Sequence, residues 1–308
     1  MLVGAIEGGG TKFLCSILSF DSDASTANSE APAILRGARI STTDPEATLQ
    51  TVVDFFINAR IDGEALEGLG IGMFGPIECD TRNPRWGYLL NTPKRGWADV
   101  DIAPRLQRAL NLPVRLETDV AAAALGEWKW GAGRGDHACT YVTVGTGIGA
   151  GSCVDGRVLR GSFHPEFGHI RVPKADGDTH FSGVCIHHGD CLEGLASGPA
   201  MAARWGTSAE NLPKGHPAWD LEAEYLALAF SNLALSFAPD RIIVGGGIGL
   251  RDGLLVLVAQ RMLALFGGYV AALSDAESLR RYVVRAKLGS EAGILGAALL
   301  GFYAAQSL

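Results

Sequence analysis

The sequence of 308 residues contains no run of five or six lysines and arginines and no apolar stretch long enough to cross a bilayer. No signal-peptide pattern stands ahead of its first strand-like segment, so a cytoplasmic protein is expected. Its 26 basic residues are outnumbered by 33 acidic ones, for a formal net charge of −7. That balance argues against a nucleic-acid partner, which clustered Lys and Arg would have to hold. It leaves room for a local phosphate site, because backbone N–H groups bind phosphate without either residue. Cysteine is sparse: of Cys15, Cys79, Cys139, Cys153, Cys185 and Cys191, only the last two are near each other. In a reducing compartment, closely spaced Cys and His point to a metal and not to a disulfide.

What the chain does have is glycine, 41 residues of it, and 47% apolar residues. The length predicts two domains. Leu2 to Ile6 reads as a strand entering Glu7-Gly8-Gly9-Gly10-Thr11-Lys12, with apolar residues resuming from Phe13 to Leu18, a hairpin pattern. Residues 21–33 read as a Ser-, Ala- and Asp-rich loop. Helices are predicted at Pro45–Ile61, Val100–Leu110, Asp119–Trp128, Asp220–Phe237, Gly253–Phe266 and Ala292–Ala305, and strands at Leu69–Phe74, Val114–Leu116, Ala138–Val144, up to Val154, and at Arg241–Val244. Strand, glycine turn and strand recur near residues 8 and 147, a faint internal duplication within an α/β fold of two halves.

Three glycine turns follow strands. Gly8 to Lys12 lacks the glycine spacing of a Walker A loop, but its backbone amides, the Thr11 hydroxyl and Lys12 suit one small anion, or the segment is a tight hairpin turn. Gly145-Thr146-Gly147-Ile148-Gly149 fails the dinucleotide test, because a strand and not a helix follows it. Two Gly-Thr hairpins suggest a clamp on two phosphates. Gly245-Gly246-Gly247 allows a flat ligand such as adenine to approach the backbone, or is simply a strand-end turn. Glu117-Thr118-Asp119 joins a strand to a helix: a carboxylate there can take a proton from a hydroxyl, while Thr118 or Asp119 equally suits a helix cap. Cys185, His188 and Cys191 stand at i, i+3 and i+6, and one histidine from upstream (His164 or His169) would complete the four ligands of a structural zinc. His187 is a second candidate beside His188.

Taken together, these motifs resemble the ROK sugar kinases of the actin-like ATPase superfamily. The resemblance also rests on Gly75-Pro76, Thr92-Pro93-Lys94-Arg95-Gly96-Trp97, Glu166-Phe167-Gly168-His169 and the segment from Cys185 to Ser197. The Thr-Pro-Lys-x-Gly-Trp and Cys-x-x-His-Gly-Asp-Cys forms are similar to the bacterial fructokinase branch. The resemblance implies two actin-like (ribonuclease H-like) domains with an interdomain active-site cleft: residues 1–116, with the helix 294–308 packing back onto them, and residues 117–293, which carry the zinc loop.

It further implies Asp119 as general base and Gly75, Pro76, Thr118, Glu166, His169 and Glu193 around a hexose. Gly9, Gly10, Thr11, Lys12, Gly145, Thr146 and Gly147 would bind the phosphates of ATP, and Gly245, Gly246 and Gly247 its adenosine. His169, Cys185, His188 and Cys191 would hold Zn²⁺, with Mg²⁺ accompanying ATP. Fructose is the first-choice sugar, with mannose or glucose as alternatives, in a homodimer. Two positions depart from the family pattern: Glu7 where Asp is usual, and Ala121 where Asn is common. A sugar-responsive repressor is disfavoured because the first glycine turn begins at residue 8. A catalytically silent sugar-binding protein is the other alternative.

Overall fold

The computed structural model describes residues 1–21, 29–58 and 65–307. In chain order the elements are β1 (Leu2–Gly8), β2 (Lys12–Ser19), β3 (Ala33–Ser41), α1 (Pro45–Asn58), β4 (Gly68–Met73), α2 (Ile102–Leu110), β5 (Val114–Thr118), α3 (Asp119–Trp130), β6 (Ala138–Val144), β7 (Ile148–Val154) and β8 (Arg157–Val158). They continue with α4 (Leu192–Ala196), α5 (Gly198–Trp205), α6 (Ala218–Phe237), β9 (Arg241–Gly245), α7 (Leu254–Phe266), α8 (Ala276–Tyr282), β10 (Val283–Arg285) and α9 (Ala292–Ala305). The expected helix end at Arg60-Ile61, most of the expected loop of residues 21–33 and the terminal Leu308 lie outside the described residues. Among the described residues no helix is long and apolar enough to cross a membrane.

Two compact units form. One comprises Met1–Gly135, Gly151–His164 and Leu288–Leu308, the other Asp136–Ala150 and Pro165–Lys287. The sequence reading divided the chain after Leu116, whereas the first unit runs on through α3. The reason is close packing: a Cβ on Gly72 of β4 would lie 2.8 Å from the Ala122 Cβ, and one on Gly296 of α9 would lie 1.6 Å from the Ala122 carbonyl oxygen.

β4 shows how the sequence builds the first unit. Its Gly-Leu-Gly-Ile-Gly-Met alternation puts Leu69, Ile71 and Met73 into a core with Ile6, Phe13, Leu49, Val52, Phe56 and Leu106. Its glycines face the opposite way. A Cβ on Gly70 would sit 1.8 Å from the Ala297 carbonyl oxygen, so only glycine lets α9 come this close. α9 is apolar all round, as a helix buried on all sides must be. The second unit has its own core, in which Val142 and Val144 of β6 and Ile242 and Val244 of β9 pack with Tyr225, Leu226 and Phe230 of α6 and Val258 and Met262 of α7.

The two sheets have the orders β3-β2-β1-β4-β5 and β10-β9-β6-β7-β8. If β6 to β10 are matched to β1 to β5 in turn, the second order is the first read backwards. The parallel pairs match as well: β1 with β4 and β4 with β5, against β6 with β9 and β9 with β10. The duplication suggested by two glycine turns therefore extends to whole sheets.

Candidate active site

In the first unit, β1 ends at Gly8 and the chain reverses into β2, with Gly9 N–H donating to the Lys12 carbonyl at 2.8 Å. A Cβ on Gly8 would meet the Met73 sulfur at 2.3 Å, while one on Gly10 would meet nothing within 4 Å. Gly8 is therefore fixed by packing, and Gly10 and Thr11 stand exposed at the tip. The turn is held from one side: Thr42 donates its hydroxyl to the Gly9 carbonyl at 2.8 Å and its N–H to the Thr11 carbonyl at 3.0 Å. Next to it, Trp97 donates its indole N–H to the Thr43 carbonyl at 2.9 Å, and Lys94 Nζ lies 3.4 Å from the Thr42 carbonyl. Trp97 is fully buried against Phe13 and Phe74. The Thr92–Trp97 segment thus braces the glycine turn.

Beside the turn, Glu7 and Asp119 bring two carboxyls together. Burial pushes Glu7 up to about 7, the Asp119 carboxylate adds to the rise, and Lys12 opposes it. Glu7 Oε2 is buried without a hydrogen-bond partner. The helix cap falls to Thr118, whose hydroxyl oxygen accepts the Ala121 N–H at 3.2 Å. Asp119 occupies the first helical position, half-buried, with Oδ1 accepting the Val120 N–H at 2.8 Å. Of the two residues the sequence offered as cap, Thr118 takes that place. Gly75 and Pro76 precede Ile77, whose N–H donates to Nε2 of the buried His164 at 3.1 Å. His164 is one of the two upstream histidines considered for zinc, and it serves this loop instead.

In the second unit, Ile148 is the junction. Its N–H donates to Glu193 Oε2 at 3.0 Å, and a Cβ on Gly168 would lie 1.9 Å from its carbonyl oxygen. One residue thus ties the Gly145–Gly149 turn to the Glu166–His169 segment and to α4. Within the turn, Gly145 N–H donates to the Gly147 carbonyl at 2.9 Å, and Thr146 is exposed at the tip. The third glycine turn lies alongside, since a Cβ on Gly145 would be 3.8 Å from Gly247 N. Gly246 has φ +80° and sits against the Val144 backbone; Gly245 abuts the Tyr141 hydroxyl; Gly247 is exposed, with no atom near where a side chain would be. Glu166 stays exposed as a residue. Partial desolvation of its carboxyl raises its pKa, with His169 opposing and Glu193 adding to the rise.

The ligand atoms of His169, Cys185, His188 and Cys191 lie within 4.8 Å of one another. His169 Nδ1 is 3.5 Å from Cys191 Sγ and 3.8 Å from Cys185 Sγ, and Cys185 Sγ is 3.6 Å from His188 Nδ1. Tetrahedral Zn²⁺ with bonds of roughly 2.0–2.3 Å requires ligand-to-ligand edges of about 3.3–3.8 Å, so the donor set and its spacing fit the ion. The group contains His188 and not His187. A tight turn makes the arrangement possible: Cys185 and Gly189 exchange backbone hydrogen bonds of 3.1 and 2.8 Å, with Gly189 at φ +64°. Metal on His169 Nδ1 would leave the proton on Nε2, as a donor of fixed direction.

Glu7 was not among the site candidates, and His164 was considered only as a zinc ligand and not as the acceptor of the Ile77 N–H. The departure from Asp at position 7 was visible in the sequence, but its orphaned oxygen was not. For His164, nothing local separates a histidine that accepts a backbone N–H 87 residues away from one that binds metal.

Similarity to known proteins agrees with this geometry. The chain is 38% identical over 306 residues to a fructokinase of Zymomonas mobilis, covering 98% of this chain and 97% of that protein. The structure matches a ROK hexokinase from Thermus thermophilus with TM-score 0.77 at 27% identity, covering 100% of both chains. It matches a ROK family glucokinase from Streptomyces griseus, solved with glucose and AMPPNP, with TM-score 0.70 at 26% identity, over 98% of this chain and 100% of that one. The ROK family model matches residues 3–302, and the chain, with its two actin-like domains, belongs to the ROK family.

Proposed function

We propose that this protein is an ATP-dependent hexose kinase that phosphorylates D-fructose to fructose 6-phosphate. The observation that carries this reading is the carboxyl pair at the first glycine turn: Asp119 is relieved of capping by Thr118, and Glu7 has a buried oxygen without a partner. Phosphoryl transfer needs little covalent help from the protein. It needs a base on the attacking hydroxyl and donors that hold the phosphates.

In the proposed mechanism, Asp119 accepts the proton of the sugar hydroxyl as its oxygen bonds to the γ-phosphorus. The bond to the β,γ-bridging oxygen breaks, ADP leaves, and Asp119 later returns the proton to solvent. Gly9, Gly10, Thr11 and Lys12 bind phosphate oxygens from one turn, and Gly145, Thr146 and Gly147 from the other. Gly245–Gly247 receive the adenosine. Gly75, Pro76, Glu166, His169 and Glu193 position the sugar, and Thr118 positions Asp119. A Mg²⁺ ion with the nucleotide would supply charge neutralisation, and Glu7 is the residue suited to its hydration shell. A Zn²⁺ held by His169, Cys185, His188 and Cys191 would fix His169 without taking part in chemistry, because four protein ligands close the site. The proposal extends to a cytoplasmic protein with no nucleic-acid partner, as the charge of −7 and the free cysteines suggest, and to a homodimer, as the family resemblance implies.

The test is a coupled ADP-release assay across fructose, mannose and glucose. Fructose should give the highest kcat/KM. A higher value for glucose would reassign the substrate, and no turnover of any hexose would leave a sugar-binding protein.

A further inference from the structure

The first unit contains a cavity of about 780 Å³ that the mechanism does not use. It lies along the open edge of β5, which ends its sheet. Volumes of this size are typical of small-molecule sites. Arg115, Arg157 and Arg160 lie in its walls, and Glu117 in its lining is only 7% exposed.

Glu117 is the unusual group. Its Oε2 is buried with no hydrogen-bond partner, and its Oε1 is 3.6 Å from Arg160 Nη1, beyond hydrogen-bond reach. The Cys79 thiol side chain hydrogen-bonds the carboxyl, and Arg160 Nη1 also donates to the Cys79 carbonyl. Burial raises the carboxyl to about 7, against the pull of Arg160. A carboxyl so buried and only partly satisfied is costly unless something completes its hydrogen bonds.

The arginines stand on stiff supports. Arg115 Nη2 donates to Ser307 Oγ at 2.9 Å, and its guanidinium lies over the Tyr303 ring at 5.7 Å. Arg157 follows the Asp155-Gly156 turn, where φ is +48° and +76°, the pattern of a tight two-residue hairpin. That hairpin is seated on Trp128, since a Cβ on Gly156 would be 2.9 Å from its ring.

We propose that this cavity is a second ligand site, specific for a hexose monophosphate, with the phosphate on Arg115 and Arg157 and a sugar hydroxyl donating to Glu117. A bare phosphate would leave Glu117 Oε2 without a donor and would face the charge of the carboxylate. A neutral sugar would leave the guanidiniums unmatched. A molecule with an anion at one end and hydroxyls at the other satisfies both. The choice of a hexose skeleton rests on the kinase reading, because such a molecule is that reaction's product. Glu117 is two residues from Asp119 on the same strand-to-helix junction, so occupancy would be felt at the proposed base, and the product would inhibit without competing with the hexose.

The experiment is equilibrium dialysis of labelled fructose 6-phosphate without nucleotide, on wild type and on the double variant Arg115→Ala/Arg157→Ala. Both residues are exposed, so the variant should fold; thermal melting checks this. Wild type should bind one equivalent more than the variant, with at least a tenfold weaker affinity for that equivalent once the arginines are gone. Initial rates without product should be equal in the two proteins, while inhibition not competitive with fructose should appear only in wild type. Equal stoichiometry in both proteins overturns the site. Displacement of the extra equivalent by inorganic phosphate at similar concentration, or by ADP, overturns its specificity for a sugar phosphate. Failure of the kinase reading would show separately, as absent turnover in product-free assays of both proteins.

Discussion

The two glycine turns share a topology and differ in everything attached to it. The first, between β1 and β2, is braced by Thr42 and the Thr92–Trp97 segment, including the Lys94 ammonium, and stands beside the carboxyl pair of Glu7 and Asp119. The second, between β6 and β7, is braced by a carboxylate, Glu193 on Ile148 N–H, and adjoins the segment carrying the Cys/His cluster. A duplicated sheet thus supplies two places where a backbone turn can meet a phosphate. In the proposed mechanism the chemistry comes from what each copy has acquired: a proton acceptor in one, a positioning frame in the other.

The sharpest way to break this comparison is Asp119→Asn. If the first turn carries the proton acceptor, kcat should fall by about 10²–10⁴-fold. The melting temperature should hardly move, because Thr118 provides the cap and Asn can still accept the Val120 N–H. Near wild-type kcat would remove the base from the first copy. Next in size is Cys191→Ser. It should abolish stoichiometric zinc by metal analysis and destabilise the second unit by several kcal/mol, since structural zinc contributes directly to folding. Sugar KM should rise as His169 loses its anchor. Zinc-free, fully active protein would show that the frame needs no metal.

A smaller effect is expected for Glu193→Gln. An amide oxygen can replace the acceptor for Ile148 N–H but loses the charge, at a cost on the order of 1–2 kcal/mol. KM should rise by roughly 5- to 30-fold with zinc content unchanged. The same substitution leaving KM intact would detach the brace from function.

pH supplies a test confined to the first unit. Glu7 and Glu117 both titrate near 7 in the folded protein, against 4.5 for an ordinary glutamate. Because the folded state holds these protons more tightly, stability is highest below about pH 4.5 with respect to these groups. It falls as pH rises from there through 7, by up to roughly 3 kcal/mol for each. Glu117→Gln should flatten that fall in thermal melts between pH 5 and 8. The smallest expected effect is Thr118→Val, which removes a cap worth about 1 kcal/mol and should lower kcat modestly by loosening Asp119.

Much of this was legible in the sequence. The glycine turns, β6, the β7 strand up to Val154 and α9 sit where periodicity and turn residues put them, because these signals are local. β3 was missed because its residues are mostly exposed and show no burial alternation, as an edge strand permits. The short β8, α4, α5, α8 and β10 carry too few residues for a period to show. In the site, Cys185, His188 and Cys191 announced themselves by spacing, while the fourth ligand was open between His164 and His169 and was read as His169 only from family resemblance.

By itself the sequence determined where the backbone can turn tightly, which strand faces are apolar, and which residue types are available for a base and a metal. Those properties reside in a few neighbouring residues. Only the tertiary structure decided that Thr118 caps so that Asp119 need not, that Glu7 lies against Asp119 112 positions along the chain, and that β4's glycines admit α9. It alone decided that Glu117 faces a cavity with arginines from β5, β8 and the segment after it. Each of these depends on the distance between residues far apart in sequence, which packing alone sets, and desolvation then changes what the assembled groups can do.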